Sequence, residues 1–246
     1  MNEEEKFLFD LEGYLVVENV LNADELAALN ALVDRRLDDR WDNDESNDFN
    51  KVSAWGQATT DLMDHPNILP YLVALLGPTV RLDHDYAILM NQGEKRGGLH
   101  GGPSLGSTHW YAYKDGVIRN GLTVVTYFLS DAGNGDGGFG CVPGSHKGNF
   151  NNAIPADVRR FEQTAHYVRQ PPAKAGDALI FTEALVHGTM PWRAPHQRRT
   201  LLYKYSPGQS SWMKAPYDFA LYENLTEQQK RIMAPASAEG HDEVIQ

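Results

Sequence analysis

From residue 79 onward the chain is written in short apolar runs separated by glycine-rich turns: 79–90, 122–129, 178–181 and 200–205. Runs of this length, bounded by turn residues, restrict the centre of the protein to an all-β core. The text ahead of residue 79 has a different period. Gly13 to Val20 reads as a strand, and Asn22 with Glu25 forms a capping-box pattern. Leu26, Leu29, Val33 and Leu37 then share one face, which predicts an amphipathic helix over about 23–40. The polar, acidic stretch from Asp38 to Asn50 is predicted as a loop. A second helix fits about 66–76, with Pro66 early, Gly77 at its end and Pro78 beyond. Thr226 and Gln229 open a last short helix that ends near Pro235. The expectation is one domain over 1–246: a helical part to about 78, a β-core over about 79–206, and a helical tail over about 207–246. Helices packed on a β-barrel or double-sheet jelly roll would satisfy that order.

Charge narrows the partners. The 33 acidic and 22 basic residues give a formal charge of -11, which argues against nucleic acid and anionic membrane surfaces. A small-molecule substrate, even an anionic one, stays open, because a local basic pocket can exist on an acidic protein. Cys141 is the single cysteine, so no internal disulfide or cysteine zinc cluster can form; it reads as a buried hydrophobe. The start, Met1-Asn2-Glu3-Glu4-Glu5-Lys6, lacks an apolar signal core, and no apolar run has membrane-spanning length. These features predict a cytoplasmic protein.

Two histidines carry the chemistry. His100 lies in Leu99-His100-Gly101-Gly102, after Gly97-Gly98, in a segment able to turn sharply. His187 lies in Leu185-Val186-His187-Gly188-Thr189, close behind an apolar run, and Arg198 follows eleven residues later. Imidazole suits Fe(II), and a site with open positions suits oxygenase chemistry. A guanidinium at 198 could bind the distal carboxylate of a dicarboxylic co-substrate in bidentate fashion, with the Thr189 hydroxyl beside it. Arg199 would point to the opposite face of a strand. The glycines of Gly133-Asn134-Gly135-Asp136-Gly137-Gly138 lack the pattern of a phosphate loop and read as a turn.

Three segments together resemble the phytanoyl-CoA dioxygenase family of Fe(II)/2-oxoglutarate oxygenases. They are Phe9-x3-Gly13-Tyr14-Leu15-Val16-Val17-Glu18-Asn19-Val20-Leu21 before a capped helix; Leu129-Ser130-Asp131-x6-Gly138-Phe139-x-Cys141-Val142-Pro143-Gly144-Ser145-His146-Lys147; and Gly176-Asp177-x2-Ile180-Phe181 leading to His187 and Arg198. The likeness spans roughly residues 7–206. It implies a mainly β, cupin-like double-stranded β-helix, with Fe(II) on His100 and His187 and 2-oxoglutarate on Arg198 and Thr189. It also implies use of O2, release of succinate and CO2, and oxidation of an aliphatic C–H bond.

The family pattern is His-x-Asp, and here Gly102 stands at the Asp position. Glycine offers no ligand. Aliphatic halogenases of the superfamily carry Gly or Ala there, with a halide in the vacated place, so Gly102 tilts the expectation toward chlorination with chloride as a third ligand. Hydroxylation is the alternative, with water at the site or a distant carboxylate such as Asp85, Asp136 or Glu183. A non-catalytic jelly roll that binds metal or metabolite is the third reading.

Other residues have two readings each. Trp110, Tyr111, Asp85, Arg119 and Trp192 are candidates for a substrate pocket. Trp110 and Tyr111 serve equally as sheet packing, and Arg119 as an exposed turn. His109 reads as a hydrogen-bonded loop residue before a substrate contact. His146 reads as anchoring its Pro-Gly-Ser-His-Lys turn or as functional. His84 and Asp85 point to opposite faces of one strand, so they do not form a ligand pair. His65, His166, His196 and His241 read as surface residues.

Overall fold

Asn2 opens a helix that the acidic start of the chain does not announce. Its side chain accepts from the Glu5 amide while Glu5 caps Asn2 in return, and Gly13 ends the helix. The computed structural model describes residues 1–43, 50–104, 106–214 and 217–245. In chain order it contains α1 (Glu3–Glu12), β1 (Tyr14–Val17), α2 (Ala23–Asn43), α3 (Gln57–Thr60) and α4 (Leu69–Leu76). There follow β2 (Arg81–Met90), β3 (Tyr111–Lys114), β4 (Val117–Asn120), β5 (Thr123–Phe128) and β6 (Gly138–Val142). The chain closes with α5 (Ala156–Arg159), β7 (Ala178–Thr182), β8 (Val186–Met190), β9 (Arg198–Ser206) and α6 (Glu227–Ile232).

Most boundaries follow the sequence reading. The loop expected from Asp38 is different: α2 continues through Asn43, and residues 44–49 lie outside the described residues. The helix expected from Pro66 begins at Leu69, with Pro70 in its first turn. The glycine-rich β6 and the polar β8 were not expected as strands. They form because each supplies the other's ladder, with Cys141 opposite His187.

The major sheet has the antiparallel order β1-β7-β5-β9-β2. The minor sheet pairs β6 with β8, and a bridge between His100 and His187 adds the segment before β3 to its edge. Strand alternation divides the core in two. Leu201, Tyr203, Tyr205, Val125, Tyr127, Ala178 and Ile180 face the helices. Leu202, Val124, Phe128, Leu179 and Phe181 face the minor sheet and meet Phe139, Cys141 and Leu185 there. Three buried tyrosines tie the helical layer to the sheet through their hydroxyls: Tyr127 to the Leu62 carbonyl, Tyr203 to Thr59 and Tyr205 to Met63, at 2.9, 2.6 and 2.9 Å. Each bond contributes on the order of 1 kcal/mol and fixes how helices seat on strands. The result is a double-stranded jelly roll with His100 and His187 at the edge of its minor sheet. Among the described residues, no helix is long and apolar enough to cross a membrane.

Candidate active site

His100 and His187 meet across the edge of the minor sheet. The His100 amide donates to the His187 carbonyl at 2.7 Å, and the His187 amide donates back at 2.9 Å. The ring centroids lie 4.4 Å apart. Each Nδ1–H donates to a carbonyl two residues upstream, Gly98 for His100 and Leu185 for His187, both at 2.8 Å. A carbonyl can only accept, so the proton sits on Nδ1 and each Nε2 presents a lone pair. Imidazole ligands to metals are commonly oriented in this way. Burial and the neighbouring His100 push the His187 pKa down to about 4, although Glu183 pulls the other way; the ring is therefore neutral at physiological pH.

Arg198 enters the interior from the first position of β9. It pairs with Met90, an interior residue, whereas Arg199 pairs with Leu89 on the helical face. Arg199 is occupied there by Asn30 and Asp34. Arg198 is 2% exposed; Nη1 touches the Met90 sulfur at 3.5 Å, and its buried Nε has no partner. Burial and nearby Arg96 lower its pKa to about 10, still well above neutrality. A buried cation with an unused donor is costly unless an anion completes it. Gly138 makes the room: a Cβ there would lie 3.2 Å from Arg198 Nε. Thr189 lies two residues after His187 on β8 and so shares its face.

Of the three distant carboxylates the sequence offered, Glu183 is the one that lies beside His187. It follows β7 with the same parity as Leu179 and Phe181, so it points into the interior. The three residues from Glu183 to Leu185 then cross from the major sheet to the minor one, bringing Glu183 opposite His187. Glu183 Oε2 lies 3.8 Å from His187 Nε2 and 3.9 Å from His109 Nε2, while Oε1 pairs with Lys204 Nζ at 2.6 Å. Burial opposes its charge, but His187, Lys204 and His109 hold the carboxyl well below its usual range. Lys204 also lies 5.4 Å above the Tyr86 ring. His109 stacks on Trp212 at 5.1 Å, so this loop histidine belongs to the site.

Several expected pocket residues lie elsewhere. Asp85 faces the helical layer, where it accepts from the Ser53 amide and hydroxyl and from Tyr217. The alternation that places Tyr86 inside places Asp85 outside, so neither a pocket role nor a reach to the histidines is open to it. Asp136 is spent capping its own turn through the Gly133 amide. Tyr111 donates to Asp10 of α1 and packs against His146, away from the two histidines. Arg119 lies exposed on the β3–β4 hairpin and donates to the Ile118 carbonyl. Trp192 is fully buried, with its indole N–H given to the His196 carbonyl. Trp110 flanks the loop behind His109, its ring against Gly121. His65 and His146, in turn, are buried rather than on the surface or free to act.

Gly102 has φ 100°, and a Cβ built on it would head toward Asn151 Nδ2 at 3.1 Å and Val186 Cγ2 at 3.5 Å. Val186 occupies the outer face of β8, opposite His187. A side chain at 102 on this backbone therefore leaves the interior. Among the described residues, no group of three His, Cys, Asp or Glu side chains is placed to hold a metal ion.

The family profile described as Phytanoyl-CoA dioxygenase (PhyH) matches residues 9–200. No curated protein matches the sequence. Among solved structures, HygX from Streptomyces hygroscopicus with nickel and 2-oxoglutarate bound superposes with a TM-score of 0.74 at 22% identity, over 87% of this chain and 90% of that one. AviO1 from Streptomyces viridochromogenes Tue57 gives 0.61 at 19% identity, over 82% and 93%. SnoK, a non-heme alpha ketoglutarate dependent carbocyclase from nogalamycin biosynthesis, gives 0.64 at 16% identity, over 85% of each chain. These likenesses establish the jelly-roll fold.

Proposed function

Since the chain belongs to the phytanoyl-CoA dioxygenase family, we propose that it is an Fe(II)- and 2-oxoglutarate-dependent oxygenase that hydroxylates an aliphatic C–H bond of a small molecule. Arg198 carries this reading: a buried guanidinium with an idle Nε, aimed into the barrel and given space by Gly138. The donor set fits both groups. His100 and His187 would hold the metal through their Nε2 atoms, and Arg198 with Thr189 would hold the distal carboxylate of 2-oxoglutarate. Bound there with O2, the pair would supply the oxidation, with succinate and CO2 as co-products.

The protein's own part is positioning. Nδ1 bonds to Gly98 and Leu185 lock both rings, so their lone pairs are fixed before any ligand arrives. Phe139 and Phe181 pack against His187 and keep water from its inner side. His109, Trp212, Tyr86 and Lys204 form the rim that a substrate would meet. A small-molecule substrate has a parallel in HygX, which was crystallised with hygromycin B.

Chlorination is the second reading, and Gly102 is the observation that favours it. Hydroxylation is preferred because position 102 aims out of the interior while an anionic carboxylate, Glu183, already faces His187. The test is an anaerobic titration with Fe(II) and 2-oxoglutarate, reading the visible charge-transfer band with and without chloride. A band indifferent to chloride is expected. A band that shifts with chloride would replace hydroxylation by halogenation, and no band at all would overturn the oxygenase reading.

A further inference from the structure

We infer that the substrate is an uncharged, hydroxylated ring rather than an acyl chain, seated on Trp212 and hydrogen-bonded to the Glu183–Lys204 pair. This rests on the proposed oxygenase reading and deepens it by naming the chemistry of the molecule to be oxidised.

The first argument is the register of the interior. Along β2 and β9 the inward residues pair as Met90 with Arg198, Ile88 with Thr200, Tyr86 with Leu202 and His84 with Lys204. One end of the interior therefore carries Arg198, the middle is apolar, and the opposite end is polar. Glu183, which points inward after β7, joins the polar end 3.8 Å from His187.

Contacts at that end close into a circuit. Glu183 pairs with Lys204 at 2.6 Å, Lys204 lies 5.4 Å above the Tyr86 ring, and Tyr86 stacks with His84 at 6.1 Å. His84 donates its Nδ1–H to Asp83 at 2.8 Å, and Asp83 accepts the Trp212 amide at 2.8 Å. Trp212 stacks on His109, whose Nε2 comes back to Glu183 at 3.9 Å. The His84 and His109 side chains keep exposures of 20% and 19%, and Trp212 keeps 53%, so the circuit borders an opening rather than a filled core.

The second argument is what such a border recognises. Glu183 is buried, and its Oε1, although 2.6 Å from the Lys204 ammonium, makes no hydrogen bond. A buried carboxylate with open acceptor sites calls for a donor. Lys204 already balances its charge, so a neutral hydroxyl suits the place where a second cation would leave an excess charge. An acyl chain would strip water from Glu183, Lys204 and two imidazoles and return no hydrogen bond. A hydroxylated ring presents hydroxyls from its edge to these groups and C–H bonds from its face to the open side of the Trp212 indole.

The experiment is saturation-transfer NMR on the full chain, with diamagnetic Zn(II) and 2-oxoglutarate present, using methyl glucoside and myo-inositol against hexanamide as the acyl probe. Transfer to the C–H protons of at least one ring is expected at millimolar concentration. Trp212→Ala should weaken that binding roughly 10-fold, while Trp212→Phe, which keeps an aromatic face, holds it within about 3-fold. The double variant Glu183→Gln with Lys204→Met leaves no buried charge alone, so it stays foldable, and it should weaken ring binding as well. Tighter binding of hexanamide than of both rings would overturn the proposal. So would no transfer to either ring at millimolar concentration, or ring binding that survives unchanged in Trp212→Ala or in the double variant. The charge-transfer titration with Fe(II) and 2-oxoglutarate keeps the two readings apart. A band without ring binding leaves the oxygenase standing and removes this substrate class; ring binding without a band leaves a ring-binding site and removes the oxygenase.

Discussion

His100 and His187 are joined backbone to backbone as well as ring to ring: they exchange two amide hydrogen bonds, 2.7 and 2.9 Å long, and their imidazoles lie 4.4 Å apart. Residues 87 positions apart in the chain are thereby held side by side. The backbone bonds do not depend on the side chains. His100→Ala is therefore expected to abolish Fe(II) binding while shifting stability by less than about 1 kcal/mol, because the ring is exposed. Metal titration beside thermal unfolding checks both parts.

Arg198 and Arg199 offer a matched pair. Arg198→Lys keeps a positive charge but loses the planar fork, so KM for 2-oxoglutarate should rise roughly 10- to 100-fold. Arg199→Ala removes contacts to Asn30 and Asp34 on the helical face; it should leave that KM unchanged and alter stability by no more than about 1 kcal/mol. Steady-state kinetics varying 2-oxoglutarate would separate them, and equal effects would refute the assignment of faces.

Gly102→Asp puts the family's ligand type back at its usual place in the sequence. On this backbone the new side chain meets Asn151 at a φ of 100°. The expected result is a loss of about 1–2 kcal/mol of stability and no gain in metal affinity. Tighter metal binding in this variant would contradict the orientation described above.

His146 makes stability pH-dependent. Burial pushes its pKa from an ordinary 6.5 down to about 4, with Lys147 reinforcing the shift against the Asp10 carbonyl. Above pH 6.5 neither folded nor unfolded state binds the proton, and the term is absent. Between 6.5 and 4 the unfolded chain takes up a proton that the folded protein refuses, so stability falls as pH falls. The buried, neutral His187 acts in the same direction in metal-free protein. Urea unfolding at pH 7 and pH 4.5 should differ by about 2 kcal/mol from His146, and His146→Gln should flatten that slope. An equal slope in the variant would exclude it as the source.

Asp83 anchors the segment that carries Trp212 onto His109. Its two oxygens accept the Trp212 and Met213 amides at 2.8 and 3.1 Å and also hold Arg81 at 3.0 Å. Asp83→Asn leaves Arg81 buried without its counter-charge, at a cost of about 3 kcal/mol. Trp212 should then leave His109, seen as red-shifted tryptophan emission; emission identical to wild type would argue that the stack holds itself.

What the sequence determined by itself was local and periodic. Alternating apolar runs specified strands, capping residues specified where α2 and α6 begin, and the order His100, His187, Arg198 named the residues proposed for the site. Tertiary structure decided everything that depends on which side of a sheet is the inside. Period-two alternation says that Asp85 and Tyr86 face oppositely, as do Arg198 and Arg199, but not which of each pair meets the barrel. That choice followed from the helices covering one face of the major sheet and the minor sheet covering the other. Tyr111 went to α1 because β3 and β4 form a separate hairpin against the helical side. The choice among Asp85, Asp136 and Glu183 stayed open for the same reason, and Glu183 is the one beside His187. Four residues from His187 along the chain, it faces that ring only because the chain crosses between two sheets at that point.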